Sequence, residues 1–114
     1  LYIVAYILAE LGLRGHERVH EIDTGSSYQT AVLAELAAEV YTIKCFPALA
    51  ERAHNALAIA GYGDVELRIG NGRVGWPEAV PFDAIICSAA PTVIPTILTT
   101  QLATGGLLIL SLGQ

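Results

Sequence analysis

The stretch "RVHEIDTGSSYQTAVLAELAAE", residues 18–39, carries the pattern that decides the fold. It opens with a short strand-like segment, residues 18–22, and ends in an alanine-, leucine- and glutamate-rich segment, residues 28–39, that predicts a helix. Between the two lies a turn with a single glycine, Gly25. A strand that runs through such a turn into a helix is the unit from which nucleotide-binding α/β folds are built.

The same alternation of helix and strand continues on both sides of this stretch. The sequence predicts further helices over residues 2–12, 47–61 and 92–103. It predicts further strands over residues 40–46, 65–69, 82–89 and 105–113, with a long loop over residues 70–81. Strands that alternate with helices predict a parallel sheet with right-handed crossovers and helices on both faces, in the strand order 3-2-1-4-5. The pattern shows no linker or repeat, so residues 1–114 are expected to form one domain.

Composition excludes several classes of protein. The chain has 114 residues, is 54% hydrophobic and 15% charged, and has a mean hydropathy of +0.53, which suits a sheet buried on both faces. No apolar run reaches the roughly 18 residues of a membrane span. The net charge is −5 and no Lys/Arg cluster is present, so neither a membrane nor a nucleic acid is an expected partner. The two cysteines, Cys45 and Cys87, follow apolar runs and predict core thiols in a reducing cytoplasm.

Ligands of parallel sheets bind beyond the carboxyl ends of the strands. Those ends are predicted at residues 23–27, 44–46, 70–72 and 88–91. A carboxylate at the second of these ends commonly binds ribose hydroxyls, but Lys44 stands there, a donor in place of an acceptor. At the third end, Asn71 could accept a hydrogen bond from an adenine amino group through its carbonyl oxygen. The spacing alone leaves open whether the first turn is a cofactor loop or a plain α/β turn.

Other polar residues have structural interpretations. Asp83, at the start of the fourth predicted strand, is expected to cap or tie down a loop, and Trp76 is expected to anchor the long loop. The three histidines, His16, His20 and His54, do not have the spacing of metal ligands, so no metal site is predicted. No residue is identified as a catalytic acid, base or nucleophile.

Five segments occur together and in order: "EIDTGSSYQTAVLAEL", "EVYTI", "GYGDVELRIGNGRVGWPE", "PFDAIICSAAP" and "QLATGGLLIL". With these segments the chain resembles the protein-L-isoaspartate O-methyltransferases over residues 2–113. The resemblance implies an enzyme with a Rossmann-like methyltransferase fold and S-adenosylmethionine as cofactor. It also implies that the substrates are proteins carrying L-isoaspartyl residues, whose abnormal carboxylate is methylated as the first step of repair.

The resemblance also indicates where the cofactor would bind. It implies cofactor contacts from residues at the ends of the first three strands: Glu21, Asp23, Thr24, Gly25, Ser26, Lys44, Cys45, Asn71 and Gly72. Several of these positions depart from the family pattern. The family loop typically reads Glu-Ile-Gly-Thr-Gly-Ser-Gly-Tyr, and Asp23 and Ser27 replace two of its glycines. Lys44 and Asn71 each replace an acidic residue, so weaker cofactor binding and impaired activity are expected.

Family members also have a substrate-side Ser/Thr motif upstream of the matched region and further strands after it. Neither is expected within residues 1–114, so this chain alone is expected to have little activity, and a dimer could cover the sheet edge left exposed. Asp23→Gly, Ser27→Gly and Lys44→Glu together are expected to restore cofactor affinity. Two other interpretations stay open: a catalytically inactive relative or engineered fragment that keeps the fold as a binding or scaffold domain, and a methyltransferase-like domain that uses another nucleotide.

Overall fold

The computed structural model describes residues 12–23, 28–70, 74–87 and 96–110. Five strands in these ranges form one parallel sheet in the order β3-β2-β1-β4-β5, which confirms the predicted topology. The strands are β1 (Arg18–Asp23), β2 (Glu39–Lys44), β3 (Glu66–Ile69), β4 (Phe82–Cys87) and β5 (Leu102–Leu110). The helices are α1 (Tyr28–Leu36), α2 (Pro47–Ile59) and α3 (Thr96–Thr100), with a 3₁₀ turn at Pro77–Ala79. The helix predicted over residues 2–12 lies outside the described residues.

The sheet is buried on both faces around β1 and β4. On one face, Leu33 of α1 packs against a cluster of apolar strand residues: Val19, Val40, Ala84 and Ile86. On the other face, Trp76 of the long loop and Leu98 of α3 cover a second cluster that includes Ile22, Ile43 and Ile85. Successive side chains of a strand point to opposite faces, so Val19 packs in the first cluster and Ile22 in the second. This double burial explains why β4 is almost wholly apolar.

Helix α1 is shorter than predicted, because it ends at Leu36 and not at Glu39. The backbone N–H groups of Ala38 and Glu39 both donate to the carbonyl oxygen of Glu17. These bonds draw the chain into β2, where the Glu39 carboxylate accepts a hydrogen bond of 3.0 Å from Arg18 Nε. Local helix propensity is therefore overridden by hydrogen bonds to a distant segment.

The boundary between the last helix and the last strand also differs from the prediction. Helix α3 ends at Thr100 and β5 begins at Leu102, whereas the sequence predicted helix as far as residue 103. The N–H of Phe82 donates to the carbonyl oxygen of Gln101, and Leu102 pairs with Phe82 in the sheet. The strand therefore starts three residues earlier than expected. Residues 92–95 and 111–113 of the two predictions lie outside the described ranges.

A glycine pair lets β5 continue along β4 despite a shift in register. Phe82 pairs with Leu102, but the next pair is Ala84 with Leu107, so β5 carries extra residues between the two. Gly105 has φ +82°, a left-handed conformation that glycine adopts at little cost. A Cβ at Gly106 would lie 3.0–3.1 Å from three backbone carbonyl oxygens. The "GG" in this strand therefore marks a bulge.

Side chains of neighbouring elements hold the described part of the long loop before β4. Gln101 Oε1 accepts a hydrogen bond of 3.0 Å from the N–H of Trp76, and Gln101 Nε2 donates to the carbonyl oxygen of Val74 at 2.9 Å. The guanidinium of Arg68 lies 3.9 Å from the centre of the Trp76 ring. Asp83 Oδ2 accepts the N–H of Arg18 at 2.9 Å. The structural roles predicted for Trp76 and Asp83 are confirmed.

None of the helices in the described part of the chain has the length and apolar character needed to span a bilayer. Cys45 is half-buried and Cys87 is buried, and both are thiols, as the sequence predicted.

Candidate functional site

A buried cluster of polar side chains lies at the carboxyl ends of β1 and β2. Its centre is Glu21, whose side chain has no exposed surface. Glu21 Oε1 accepts hydrogen bonds from Thr42 Oγ1 at 2.8 Å and from Thr30 Oγ1. Glu21 Oε2 accepts one of 2.8 Å from Gln29 Nε2. Gln29 and Thr30 belong to the first turn of α1, so Glu21 ties the start of this helix to the sheet.

Lys44 supplies the opposite charge in this cluster. Its side chain is also fully buried, and Nζ lies 3.4 Å from Glu21 Oε1. Lys44 Nζ donates to Thr30 Oγ1 at 2.8 Å. An isolated charge in such a site would be strongly unfavourable, and an ion pair with hydrogen bonds to the remaining atoms is the arrangement that makes burial tolerable. We name Glu21, Gln29, Thr30, Thr42 and Lys44 the ion-pair cluster.

The first turn of α1 has the electrostatic character of an anion site. The helix begins at Tyr28, immediately after the turn that follows β1, and its first turn contains no acidic residue. The first N–H groups of a helix have no partner within the helix, and the N-terminal end carries a partial positive charge. A carboxylate or phosphate is therefore stabilised at this position. The ion-pair cluster fixes this end of the helix beside the carboxyl end of β1.

The carboxyl ends of the first three strands meet, as the sequence predicted. Asp23 pairs with Lys44, and Lys44 pairs with Ile69. The N–H of Gly70 donates to the carbonyl oxygen of Lys44, so the first residue after β3 is also bonded to the end of β2. Cys45 follows at the end of β2 and packs against the second core. The loops that follow these strands therefore begin at one edge of the sheet, the edge at which parallel sheets bind their ligands.

The structure describes only part of the predicted cofactor set. Glu21, Lys44 and Cys45 are described in full, and for Asp23 only the backbone is described. Five predicted contacts lie outside the described residues: Thr24, Gly25, Ser26, Asn71 and Gly72. Their assignment to the cofactor stays a prediction. Lys44 is placed differently from what the sequence suggested, because its ammonium points into the ion-pair cluster, on the face that α1 covers.

Sequence reasoning missed the donors to Glu21, namely Gln29, Thr30 and Thr42. A signal for Thr42 exists, since alternate residues of a strand share a face and Thr42 lies opposite Glu21 in the sheet register. For Gln29 and Thr30 the signal is weaker. Their position at the start of the helix places them near the end of β1, but which side chain faces the sheet depends on how the helix docks.

A second buried polar side chain, His20, lies on the opposite face of β1. It stacks on Phe82 with ring centres 5.1 Å apart and meets the edge of Trp76 at 6.0 Å. His20 Nδ1 is 2.8 Å from the carbonyl oxygen of Tyr41, whereas Nε2 has no hydrogen-bond partner among the described residues. Burial lowers the pKa of His20, so the ring is neutral. His20 belongs to the core of the sheet, away from the ion-pair cluster.

Comparison with known proteins decides the family. The model of the family described as Protein-L-isoaspartate(D-aspartate) O-methyltransferase matches residues 1–114. The chain belongs to this family. It is 48% identical over 113 residues to the protein-L-isoaspartate O-methyltransferase of a Synechococcus species, covering 99% of this chain and 46% of the relative. It is 48% identical over 114 residues to that of Anaeromyxobacter dehalogenans, covering 99% and 54%. The chain thus spans about half the length of the curated protein-L-isoaspartate O-methyltransferases it matches.

Solved structures give the same fold. A structure named protein-L-isoaspartate O-methyltransferase superposes with a TM-score of 0.85 at 27% identity, covering 94% of this chain and 35% of that one. A methyltransferase from Thiobacillus denitrificans, solved in complex with S-adenosyl-L-homocysteine, superposes with a TM-score of 0.77 at 22% identity, covering 94% and 46%. The sequence-based resemblance and the predicted Rossmann-like methyltransferase fold are both confirmed.

Proposed function

We propose that this chain forms the cofactor-binding core of an S-adenosylmethionine-dependent enzyme that methylates the side-chain carboxylate of L-isoaspartyl residues in damaged proteins. The observation that carries the proposal is membership of the protein-L-isoaspartate O-methyltransferase family along the whole chain. The fold supports it, since a parallel sheet of this order binds its ligand at the carboxyl ends of β1 and its neighbours. Residues 1–114 would act as a single methyltransferase-like domain.

The described residues fit one half of the proposed cofactor well. Its methionine end carries a carboxylate, which suits the N-terminal end of α1 and the absence of acidic residues in its first turn. Gly25 and Ser26 would lie around this end, and the buried Glu21 would support it through the first turn of α1. The ribose half fits less well, because Lys44 is buried against Glu21 and supplies no acceptor at the end of β2. Adenine would be held by Asn71 and Gly72.

The chemistry asks little of the protein beyond position. The cofactor supplies an electrophilic methyl group, and the isoaspartyl carboxylate is already a nucleophile that needs no general base. The protein would contribute alignment of the two reactants and exclusion of water. Glu21 acts in this scheme by holding the first turn of α1, and no described residue is assigned as a catalytic acid or base.

The test is a methyl-transfer assay with matched peptides. An isoaspartyl peptide and the same peptide with a normal aspartyl residue are each incubated with the protein and radiolabelled S-adenosylmethionine. Because this chain alone is expected to have little activity, we expect slow accumulation of label, on the isoaspartyl peptide alone. The label should be base-labile, because a methyl ester is hydrolysed by base. Absence of label at a saturating cofactor concentration, or equal label on both peptides, would contradict the proposed reaction.

A second candidate is a non-catalytic member of the family that keeps the fold as a binding domain. The burial of Lys44 favours it, since the family's acidic residue is lost there and no acceptor replaces it. Calorimetric titration with S-adenosylhomocysteine separates the two candidates. Binding without methyl transfer supports the second, and binding with transfer supports the first.

The proposed partners follow from the proposed reaction. They are proteins or peptides that contain isoaspartyl residues, in a cytoplasmic setting, and neither nucleic acid nor membrane is part of the proposal. A homodimer is proposed across β5, which lies at an edge of the five-stranded sheet formed by the described residues and carries the exposed side chain of Leu107. Sedimentation of the protein over a range of concentrations tests the dimer, and a monomer at every concentration would exclude it.

A further inference from the structure

The ion-pair cluster points to a role for Lys44 that its position in the sequence does not suggest. A lysine that replaces an acidic residue at a nucleotide crevice could bind a phosphate or repel the natural cofactor. Neither role suits a side chain that has no exposed surface and lies 3.4 Å from a carboxylate. The charge of Lys44 is directed at Glu21, below the crevice.

We propose that Lys44 is a positioning residue for the methionine end of the cofactor: it fixes the first turn of α1 through Thr30 and Glu21 and makes no contact with the ribose. The inference rests on the proposed function for the identity of the ligand.

The contacts support this division of labour. Thr30 Oγ1 donates a hydrogen bond to Glu21 and accepts one of 2.8 Å from Lys44 Nζ. This residue of α1 is therefore bonded to both members of the ion pair. Gln29 Nε2 holds the neighbouring residue of the same turn. With Lys44 removed, Glu21 keeps its hydroxyl and amide donors but loses the opposite charge, and a buried carboxylate without a counter-ion favours rearrangement. The part of the molecule expected to move is the N-terminal end of α1.

The inference predicts different effects on the binding of two ligands that both contain a ribose. S-adenosylhomocysteine has the amino-acid end that the α1 turn would receive, and adenosine lacks it. If Lys44 positions α1, Lys44→Met weakens S-adenosylhomocysteine binding and leaves adenosine binding unchanged. We expect a loss of about tenfold or more for S-adenosylhomocysteine, the equivalent of one hydrogen bond to a charged group. Lys44→Arg, which keeps the charge, is expected to recover most of the affinity.

The experiment uses the full chain and calorimetric titration of both ligands, at a temperature where circular dichroism shows every variant to be folded. Glu21→Gln with Lys44→Met is the companion variant. Because the two residues act as a pair, the double variant should bind S-adenosylhomocysteine no more weakly than Lys44→Met alone. An equal loss for both ligands would mean that Lys44 contacts the nucleoside and would overturn the inference. Unchanged binding of both ligands to Lys44→Met would overturn it as well, with the proposed function intact.

A readout without ligand keeps the two proposals separate. The amides of Val32 and Leu33 bond back to carbonyl oxygens of the first turn of α1, so their hydrogen exchange should be faster in Lys44→Met than in the wild type, with the amides of α2 unchanged. If the wild type binds neither ligand, the proposed function fails and the exchange data decide the positioning role alone. Faster exchange confined to the N-terminal part of α1 then supports it, and unchanged exchange overturns it.

Discussion

Lys44→Glu is the substitution for which sequence and structure make opposite predictions. The family pattern has an acidic residue at this position, so the sequence alone suggests that the substitution restores a contact to the ribose. In the structure, Lys44 is fully buried and its Nζ lies 3.4 Å from Glu21 Oε1. The introduced carboxyl group would lie beside Glu21 with no exposed surface. We therefore expect Lys44→Glu to destabilise the fold at neutral pH.

The magnitude follows from the distance between the two charges. At 3.4 Å, two carboxylates repel by about 5 kcal/mol with an effective dielectric constant near 20. The introduced carboxyl can avoid this repulsion by binding a proton, which costs about 1.36 × (7 − 4.3), or ~3.7 kcal/mol, at pH 7. Protonation is cheaper than repulsion, so it sets the limit at pH 7. At pH 5 the same step costs about 1 kcal/mol.

The pH dependence has a definite sign. The introduced carboxyl has a higher pKa in the folded than in the unfolded protein, because Glu21 lies beside it only after folding. The folded state therefore binds more protons, and its stability relative to the wild type falls as the pH rises. Between pH 5 and pH 7, the deficit of the variant should grow by about 2–3 kcal/mol.

Urea unfolding at pH 5 and pH 7 measures this deficit. Arg52→Glu is the control, because it makes the same change of charge on the exposed side of α2 and should stay within about 0.5 kcal/mol of the wild type. A Lys44→Glu variant as stable as the wild type at pH 7 would refute the buried ion pair. A deficit of equal size at both pH values would refute the argument from two adjacent carboxyl groups.

Three further predictions concern the framework around the site. Burial lowers the pKa of His20, so the unfolded protein binds the proton more readily and the wild type should lose stability as the pH falls below about 6.5. Thermal melting at several pH values measures this loss. His20→Phe should reduce it, whereas the control His54→Phe, at an exposed site, should not. Gln101→Ala removes two hydrogen bonds to the long loop and should lower the free energy of urea unfolding by about 2 kcal/mol. A loss below about 0.5 kcal/mol would show that the Gln101 side chain does not stabilise the loop. Gly106→Ala should lower the free energy of urea unfolding by about 1–3 kcal/mol, because the added Cβ meets backbone oxygens. Gly63→Ala, with open space around the added Cβ, should lower it by less. Equal losses for the two variants would contradict the bulge geometry.

The strand order and fold class could be predicted because double burial leaves a strong trace in the sequence. The segment Phe82–Cys87 is almost wholly apolar, as expected of an interior strand, and β4 lies between β1 and β5 in the predicted strand order. Element ends were less predictable. Helix α1 ends early because of hydrogen bonds to Glu17, and β5 starts early because Leu102 pairs with Phe82. Both are contacts between distant segments, and local propensity carries no information about them.

The meeting of the carboxyl ends of β1, β2 and β3 could be predicted from the strand order, whereas the direction of the Lys44 side chain could not. Matching positions to a family pattern assigns Lys44 to the crevice, since the acidic residue that it replaces would face the cofactor. The strand geometry argues otherwise: Lys44 shares a face with Thr42, and Thr42 lies opposite Glu21. A lysine stem is long enough to reach back to that carboxylate, and an aliphatic stem is readily buried while its ammonium finds a partner.

This direction changes how the departures from the family pattern combine. Under the proposed function, Asp23 and Ser27 would alter the turn next to the cofactor, whereas Lys44 would alter the support beneath it, so the three would not be equivalent losses of ligand contact. Lys44→Glu would introduce the family's residue type but break the charge balance of the ion-pair cluster. The family pattern has an acidic residue at both positions, so an acidic side chain at position 44 can serve the ribose only where it points into the crevice and away from Glu21. In this chain residue 44 lies in the buried ion-pair cluster, so its surroundings, and not the residue type alone, decide whether Lys44→Glu restores the contact.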